Sequence, residues 1–155
     1  ADLIEYFQEV DEPTIIVMFG DHLPMLGNDY SVYREIGYIG EDTLTLEDEQ
    51  KLHQTPFVIW SNYKNEKREV GLINSSYLGA YIVEYANINM PVYFHFLNEI
   101  RKENPAFISG INMNADGTIS EEPSDRQKLL RQKHWTLQYD LMFGQEYGRD
   151  ILFGN

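Results

Sequence analysis

An α/β fold with a small antiparallel addition at its end is what this chain of 155 residues predicts, on three observations. Two short apolar runs, Thr14–Phe19 and Thr55–Trp60, do not alternate with polar residues and read as strands buried on both faces. Between and after them apolar residues recur at helical spacing, and strands alternating with helices indicate an α/β arrangement. From Phe107 the character changes to two short apolar segments around an Asp-Gly turn signal, followed by a long helical pattern.

Taken in order, residues 1–9 form an amphipathic helix with Leu3, Ile4 and Phe7 on one face, and Asp11-Glu12-Pro13 ends it. The first strand, Thr14–Phe19, runs into Gly20-Asp21-His22. Pro24, Gly27 and Asn28 make Leu23–Asp29 a loop that would pass over the Asp-His pair, and a short helix follows around Tyr30–Ile36. Thr45 with Asp48 three later is a capping box opening another helix. In the second strand Pro56 stands at the start, where its missing N–H is tolerated. Ser61-Asn62-Tyr63 closes that strand, and Lys64–Arg68 is a charged connector. Ser75 or Ser76 caps a helix to about Ala86. A further helix after Pro91 places Tyr93, Phe94, Leu97 and Ile100 at core spacing and ends near Asn104-Pro105. The last part is a hairpin across Asn114–Gly117 and a helix from Ser124, whose capping partner is Gln127, to about Phe143. These boundaries divide the chain into residues 1–105, the α/β portion, and 106–155, a hairpin-and-helix appendage.

Composition narrows the function classes. Twelve basic residues against 25 acidic ones give a formal charge of −13, which repels nucleic acid and anionic lipid surfaces. With no cysteine, disulfides, thiolate metal sites and a cysteine nucleophile are excluded. The longest apolar run, Ile15–Phe19, is far short of the roughly 20 residues of a membrane-spanning helix. A helix already under way at residue 1, with no initiating Met, suggests a piece of a longer protein whose targeting and membrane segments lie upstream.

Asp21 and His22 are the candidate metal ligands. A carboxylate and an imidazole at the end of a buried strand occupy the position where ligands bind in α/β sheets, and the preceding Gly lets the backbone approach closely. The competing reading is an ordinary strand-end turn beside an exposed His. Two adjacent donors leave most of a divalent ion's shell to other residues. Elsewhere the signals point to structure. His53, His95 and His134 each lie on or at the end of a predicted helix without a partner at ligand spacing. Glu41–Glu49 reads as a solvated acidic helix. Asn112-x-Asn114-x-Asp116-Gly117 imitates a calcium loop, but Pro123 stands where the bidentate Glu is required.

Three segments in order, Thr14–Pro24, Thr55–Tyr63 and Ser75-Ser76-Tyr77-Leu78-Gly79, resemble the C-terminal part of lipoteichoic-acid-synthase-like phosphoglycerol transferases. The resemblance covers most of residues 1–105. It implies the C-terminal portion of a sulfatase/alkaline-phosphatase-like fold, ending in a small antiparallel hairpin and a long helix. It also implies that Asp21 and His22 bind a divalent cation, manganese or magnesium with zinc as the alternative, together with a Glu and a nucleophilic Thr that this family places upstream. The implied substrate is a lipid-linked phosphoglycerol or other phosphate or sulfate ester, and the implied location is the extracellular face of a bacterial cytoplasmic membrane. The chain alone is expected to be inactive. A sulfatase or phosphatase of the same superfamily is the alternative, and a non-catalytic interaction domain is the second.

Overall fold

The computed structural model of the protein describes residues 2–64, 66–108 and 110–154. Ala1, Asn65 and Ser109, which fall within the predicted first helix, connector and hairpin, lie outside the described residues. The chain forms two compact units, Ala1–Val70 and Gly71–Asn155.

The first unit runs α1 (Asp2–Gln8), β1 (Ile15–Phe19), a 3-10 turn (Asn28–Tyr30), α2 (Ser31–Glu35), α3 (Leu46–Leu52) and β2 (Phe57–Ser61). β1 and β2 pair antiparallel, with Ile15 opposite Ser61 and Phe19 opposite Phe57. Asn62 fastens this pair to the segment before β1. Its side-chain oxygen accepts from the Thr14 N–H at 2.8 Å, and its NH2 reaches the carbonyls of Phe7, Val10 and Glu12 at 2.9–3.1 Å. The expectation of strands buried on both faces is corrected: Met18, Phe19 and Val58 are more than half exposed. Here β1 and β2 are each other's only strand partner among the described residues. Absence of alternation reports an apolar strand, and covering both its faces requires further layers of structure.

Beside this pair, Tyr33, Ile39 and Leu52 form a small core with Leu23, Tyr38 and Leu44 packed on it. The Thr45–Asp48 capping box forms as predicted. Asp48 is buried, and its carboxylate accepts from the Thr45 hydroxyl at 2.7 Å, the Thr45 N–H at 3.1 Å and the Gly40 N–H at 3.2 Å. These bonds, the Thr45 hydroxyl first, hold its pKa below the ordinary carboxylate value.

The second unit contains α4 (Ser75–Ala86), α5 (Val92–Glu103), β3 (Phe107–Ile108), β4 (Ile111–Met113), β5 (Ile119–Ser120), α6 (Asp125–Met142) and α7 (Arg149–Phe153). α5 packs on α4, α6 and α7. Tyr77, Ala80, Tyr93, Leu97, Ile100, Leu130 and Leu152 form the core, as the helical spacing of 93, 97 and 100 requires. One expectation is corrected: the N-cap of α4 is Asn74, whose Oδ1 accepts from the Ser76 N–H at 3.0 Å, while Ser75 and Ser76 are the first helical residues. Asn is as good a cap as Ser, so position in the turn rather than residue type decides.

β3, β4 and β5 make a three-stranded antiparallel sheet, and Gly117 turns the β4–β5 hairpin with φ +84°. Asn112, offered by the sequence as the first residue of a calcium-like loop, is buried and donates to the carbonyls of Ser120 and Glu121. Arg131 from α6 donates to the side-chain oxygens of Asn104, at 2.8 Å, and Asn112, and lies 4.1 Å over the Phe107 ring. This network joins α6 to the sheet.

His134 is 5% exposed, with the Tyr77 and Tyr93 rings 6.1 and 6.3 Å away, and its Nε2 has no hydrogen-bond partner among the described residues. Burial lowers its pKa below 6.5, because desolvation disfavours the imidazolium. In the unfolded chain His134 binds its proton at higher pH than in the fold. Its contribution is therefore complete above pH 6.5 and is lost as pH falls through the lowered folded value. The slope of stability against pH in this acidic window should shrink in His134→Gln. Urea titrations at several pH values will read this, and an unchanged slope would remove His134 as its source.

Candidate metal centre

β1 ends at Phe19, and the next residues continue its pairing. The Gly20 N–H donates to the Pro56 carbonyl at 3.1 Å, and the Thr55 hydroxyl donates to the Gly20 carbonyl at 2.8 Å. Both backbone groups of Gly20 are thus held by Thr55-Pro56. A Cβ at position 20 would come 2.9 Å from the Thr55 Cβ, so the close approach requires glycine. Two segments far apart in sequence meet here and set the backbone on which Asp21 stands. Gly20→Ala is expected to lower the stability of the first unit by about 1–3 kcal/mol through this clash. A urea midpoint equal to that of the unsubstituted chain would show that Thr55 yields at no cost.

Asp21 and His22 form a local, solvent-facing pair, their side chains 83% and 77% exposed. The Asp21 Oδ1 accepts from the His22 N–H at 2.8 Å, and Oδ2 lies 3.5 Å from the His22 Nε2. The His22 backbone N–H is the largest influence lowering the Asp21 pKa, followed by Asp21's own N–H and the neighbouring imidazole. The carboxylate is therefore ionised throughout the neutral range. The His22 Nδ1 is 3.0 Å from the Leu23 carbonyl. A proton on Nδ1 satisfies that contact and leaves Nε2 as a bare lone pair, the form that binds metal.

Downstream, Leu23 packs on the Tyr33–Ile39–Leu52 cluster, and the Tyr33 hydroxyl donates to the Pro24 carbonyl at 2.6 Å. The pair is consequently anchored before and after, by the strand ladder and by this small core. Sequence reasoning singled out the pair but missed Tyr33 and the role of Thr55-Pro56 in holding Gly20. Such contacts span 9 and 35 residues and carry no local pattern.

The donors present fit a divalent cation. Two ligands of one ion stand about 3.0–3.4 Å apart when each bond is about 2.1 Å, close to the 3.5 Å between Oδ2 and Nε2. Among the described residues no group of three or more His, Asp or Glu side chains converges to complete a shell. His53 instead contacts the Glu49 carbonyl at 2.8 Å one helical turn away, and His134 lies in the core of the second unit. No helix among the described residues is long and apolar enough to cross a membrane.

Residues 1–88 match the sulfatase family. A putative cyclic beta-1,2-glucan modification protein of Rhizobium meliloti (strain 1021) is 32% identical over 158 residues, covering 97% of this chain and 24% of that protein. The phosphoglycerol transferase GacH of Streptococcus pyogenes, solved in complex with sn-glycerol-1-phosphate, is similar in structure with a TM-score of 0.68. It is 25% identical, over 98% of this chain and 34% of its own. The chain spans about a quarter of the curated relative and about a third of the structural one. Its mixed α/β architecture, with small antiparallel sheets and a long helix near the end, matches the C-terminal part of a sulfatase-like fold. The two strand segments that meet at Gly20, the Asp-His pair they present and these likenesses agree: the chain belongs to the sulfatase family.

Proposed function

We propose that this chain is part of a metal-dependent phosphoglycerol transferase, to which it contributes Asp21 and His22 as two ligands of a divalent cation. The observation that carries this reading is the likeness to GacH along 98% of the chain. That protein was solved with sn-glycerol-1-phosphate, which makes a phosphate ester the natural substrate class. Manganese or magnesium suits an oxygen-rich site with one imidazole, and zinc is the alternative. When bound, the ion supplies charge neutralisation at the transferred phosphoryl group and acidifies a coordinated hydroxyl. Asp21, ionised, offers its carboxylate oxygens, and His22 offers Nε2 when its Nδ1 faces the Leu23 carbonyl as a donor.

In this reading a Thr hydroxyl outside these residues is the nucleophile. Its oxygen–phosphorus bond forms as the phosphorus–oxygen bond to a diacylglycerol leaving group breaks. An acceptor hydroxyl then displaces the Thr oxygen, restoring the enzyme. The name of the Rhizobium relative makes a glucan hydroxyl a reasonable acceptor. Residues 1–105 are the portion belonging to the catalytic domain and 106–155 the appendage. Exposed Met18, Phe19 and Val58 are what a larger catalytic sheet would cover. The site would face the outside of a bacterial cytoplasmic membrane.

The sulfatase family match favours one second reading, hydrolysis of a sulfate or phosphate ester. The longer protein, given phosphatidylglycerol vesicles and manganese, decides between them. Diacylglycerol release with phosphoglycerol retained on Thr or an acceptor is the expected result. Release of free sulfate or phosphate from aryl esters, with no diacylglycerol, would establish the hydrolase. The 155-residue chain by itself should bind manganese weakly and turn over neither substrate.

A further inference from the structure

A cleft of about 510 Å3 in the second unit lies apart from any role in the phosphoryl-transfer reading. Its walls include Asn74 and Ser76 at the start of α4 and Arg131, Gln132, Trp135 and Gln138 on α6. Positions 131, 135 and 138 fall at helical spacing, so one face of α6 supplies a guanidinium, an indole and an amide. Trp135 is 69% exposed although a Trp commonly buries its large ring, and its indole stacks on Tyr139 with ring centroids 5.9 Å apart. Gln132 and Gln138 make no side-chain hydrogen bond among the described residues, which leaves two amides free to donate and accept. Ser76 donates its hydroxyl proton to Asn74 and keeps its oxygen as an acceptor.

Arg131 lines the cleft and is held there by three contacts. Its guanidinium lies on the Phe107 ring and donates to Asn104 and Asn112, with fork protons to spare. Among the described residues that line the cleft, which also include Phe107 and the buried His134, Arg131 is the single Arg or Lys and there is no carboxylate. One guanidinium already engaged by two amide oxygens, on a chain of formal charge −13, is a poor trap for an anion. An exposed flat indole beside uncharged amides, a hydroxyl and a planar donor suits a ligand with an apolar C–H face and a rim of hydroxyls.

We propose that this cleft binds a pyranose ring of a neutral carbohydrate, stacked on Trp135 with its hydroxyls hydrogen-bonded to Gln132, Gln138 and Arg131. The site is independent of Asp21 and His22, and its binding requires neither metal nor turnover.

The test uses these 155 residues carrying Trp60→Phe, among which Trp135 is then the one indole. Neutral gluco-oligosaccharides, linear and cyclic, are titrated while Trp135 fluorescence is followed, with inorganic phosphate as a separate titrant. A saturable change with an oligosaccharide and none with phosphate is expected. By calorimetry, Trp135→Ala should weaken that binding about tenfold, and Gln138→Ala should weaken it while circular dichroism stays unchanged. Absence of a saturable response to every oligosaccharide, saturation by phosphate instead, or undiminished affinity in Trp135→Ala would overturn the proposal. Failure of phosphoglycerol transfer in the longer protein would leave this result untouched.

Discussion

In the longer protein, Asp21→Ala or His22→Ala should reduce phosphoglycerol transfer at least about 100-fold, since loss of even an outer partner of a metal ligand costs 10–100-fold. Each variant removes one of two donors that stand 3.5 Å apart. Neither should disturb the fold, because both side chains are largely exposed and their mutual contacts are local. The thermal midpoint is therefore expected to remain within a degree or two of the parent while turnover collapses. His22→Gln is a useful intermediate. It keeps a neutral donor group near the Leu23 carbonyl but offers an amide oxygen in place of the imidazole lone pair, so it should retain the fold and lose most activity. Near-normal transfer by either Ala variant would take the pair out of the chemistry.

The largest effect on stability is expected at Asn104. It is fully buried, donates to the carbonyls of Met113 at 2.7 Å and Ala106 at 3.3 Å, and accepts from Arg131 at 2.8 Å. Asn104→Ala strands the Met113 carbonyl and part of a half-buried guanidinium at once, while the Ala106 carbonyl keeps its bond from the Met113 N–H at 2.9 Å. An unsatisfied buried polar group costs about 1–3 kcal/mol and a charged one more, so a loss of about 3 kcal/mol or more is expected. For a unit of this size that corresponds to a fall of about 10 °C or more in Tm. Glu99→Gln, at an exposed pair with Lys102, serves as the comparison and should move Tm little. Equal midpoints for the two variants would show that the Asn104–Arg131–Asn112 network carries no stability.

The local signals in the sequence were the dependable ones. Thr45 with Asp48 and Ser124 with Gln127 form their capping boxes because the bonds involved span three residues. The Asn114–Gly117 turn follows from a glycine able to adopt positive φ. The Asp-His pair was legible for the same reason, as two neighbouring polar donors at a strand end. What stayed hidden depends on residues distant in the chain. The grip of Thr55-Pro56 on Gly20, the gathering of three carbonyls by Asn62 and the bridge from Arg131 to Asn104 and Asn112 have no periodicity to betray them. Exposure of β1 and β2 was misjudged because an apolar run records what a strand can be packed against, and burial depends on which layers are there.

Arg131 illustrates how one residue serves two levels. On sequence it is an ordinary polar position of a helix; in the fold it closes the sheet onto α6 and lines the cleft between α4 and α6. Substituting it would confound stability with ligand binding, which is why Trp135 and Gln138 are the informative positions for the cleft.

The proposed role of Asp21 and His22 is to hold a catalytic divalent cation. Its most direct test is calorimetric titration of the longer protein with manganese, beside its Asp21→Ala and His22→Ala variants. One tight site in the parent, weakened at least about 100-fold in both variants, is the predicted result. A site of unchanged stoichiometry and affinity in either variant would contradict it.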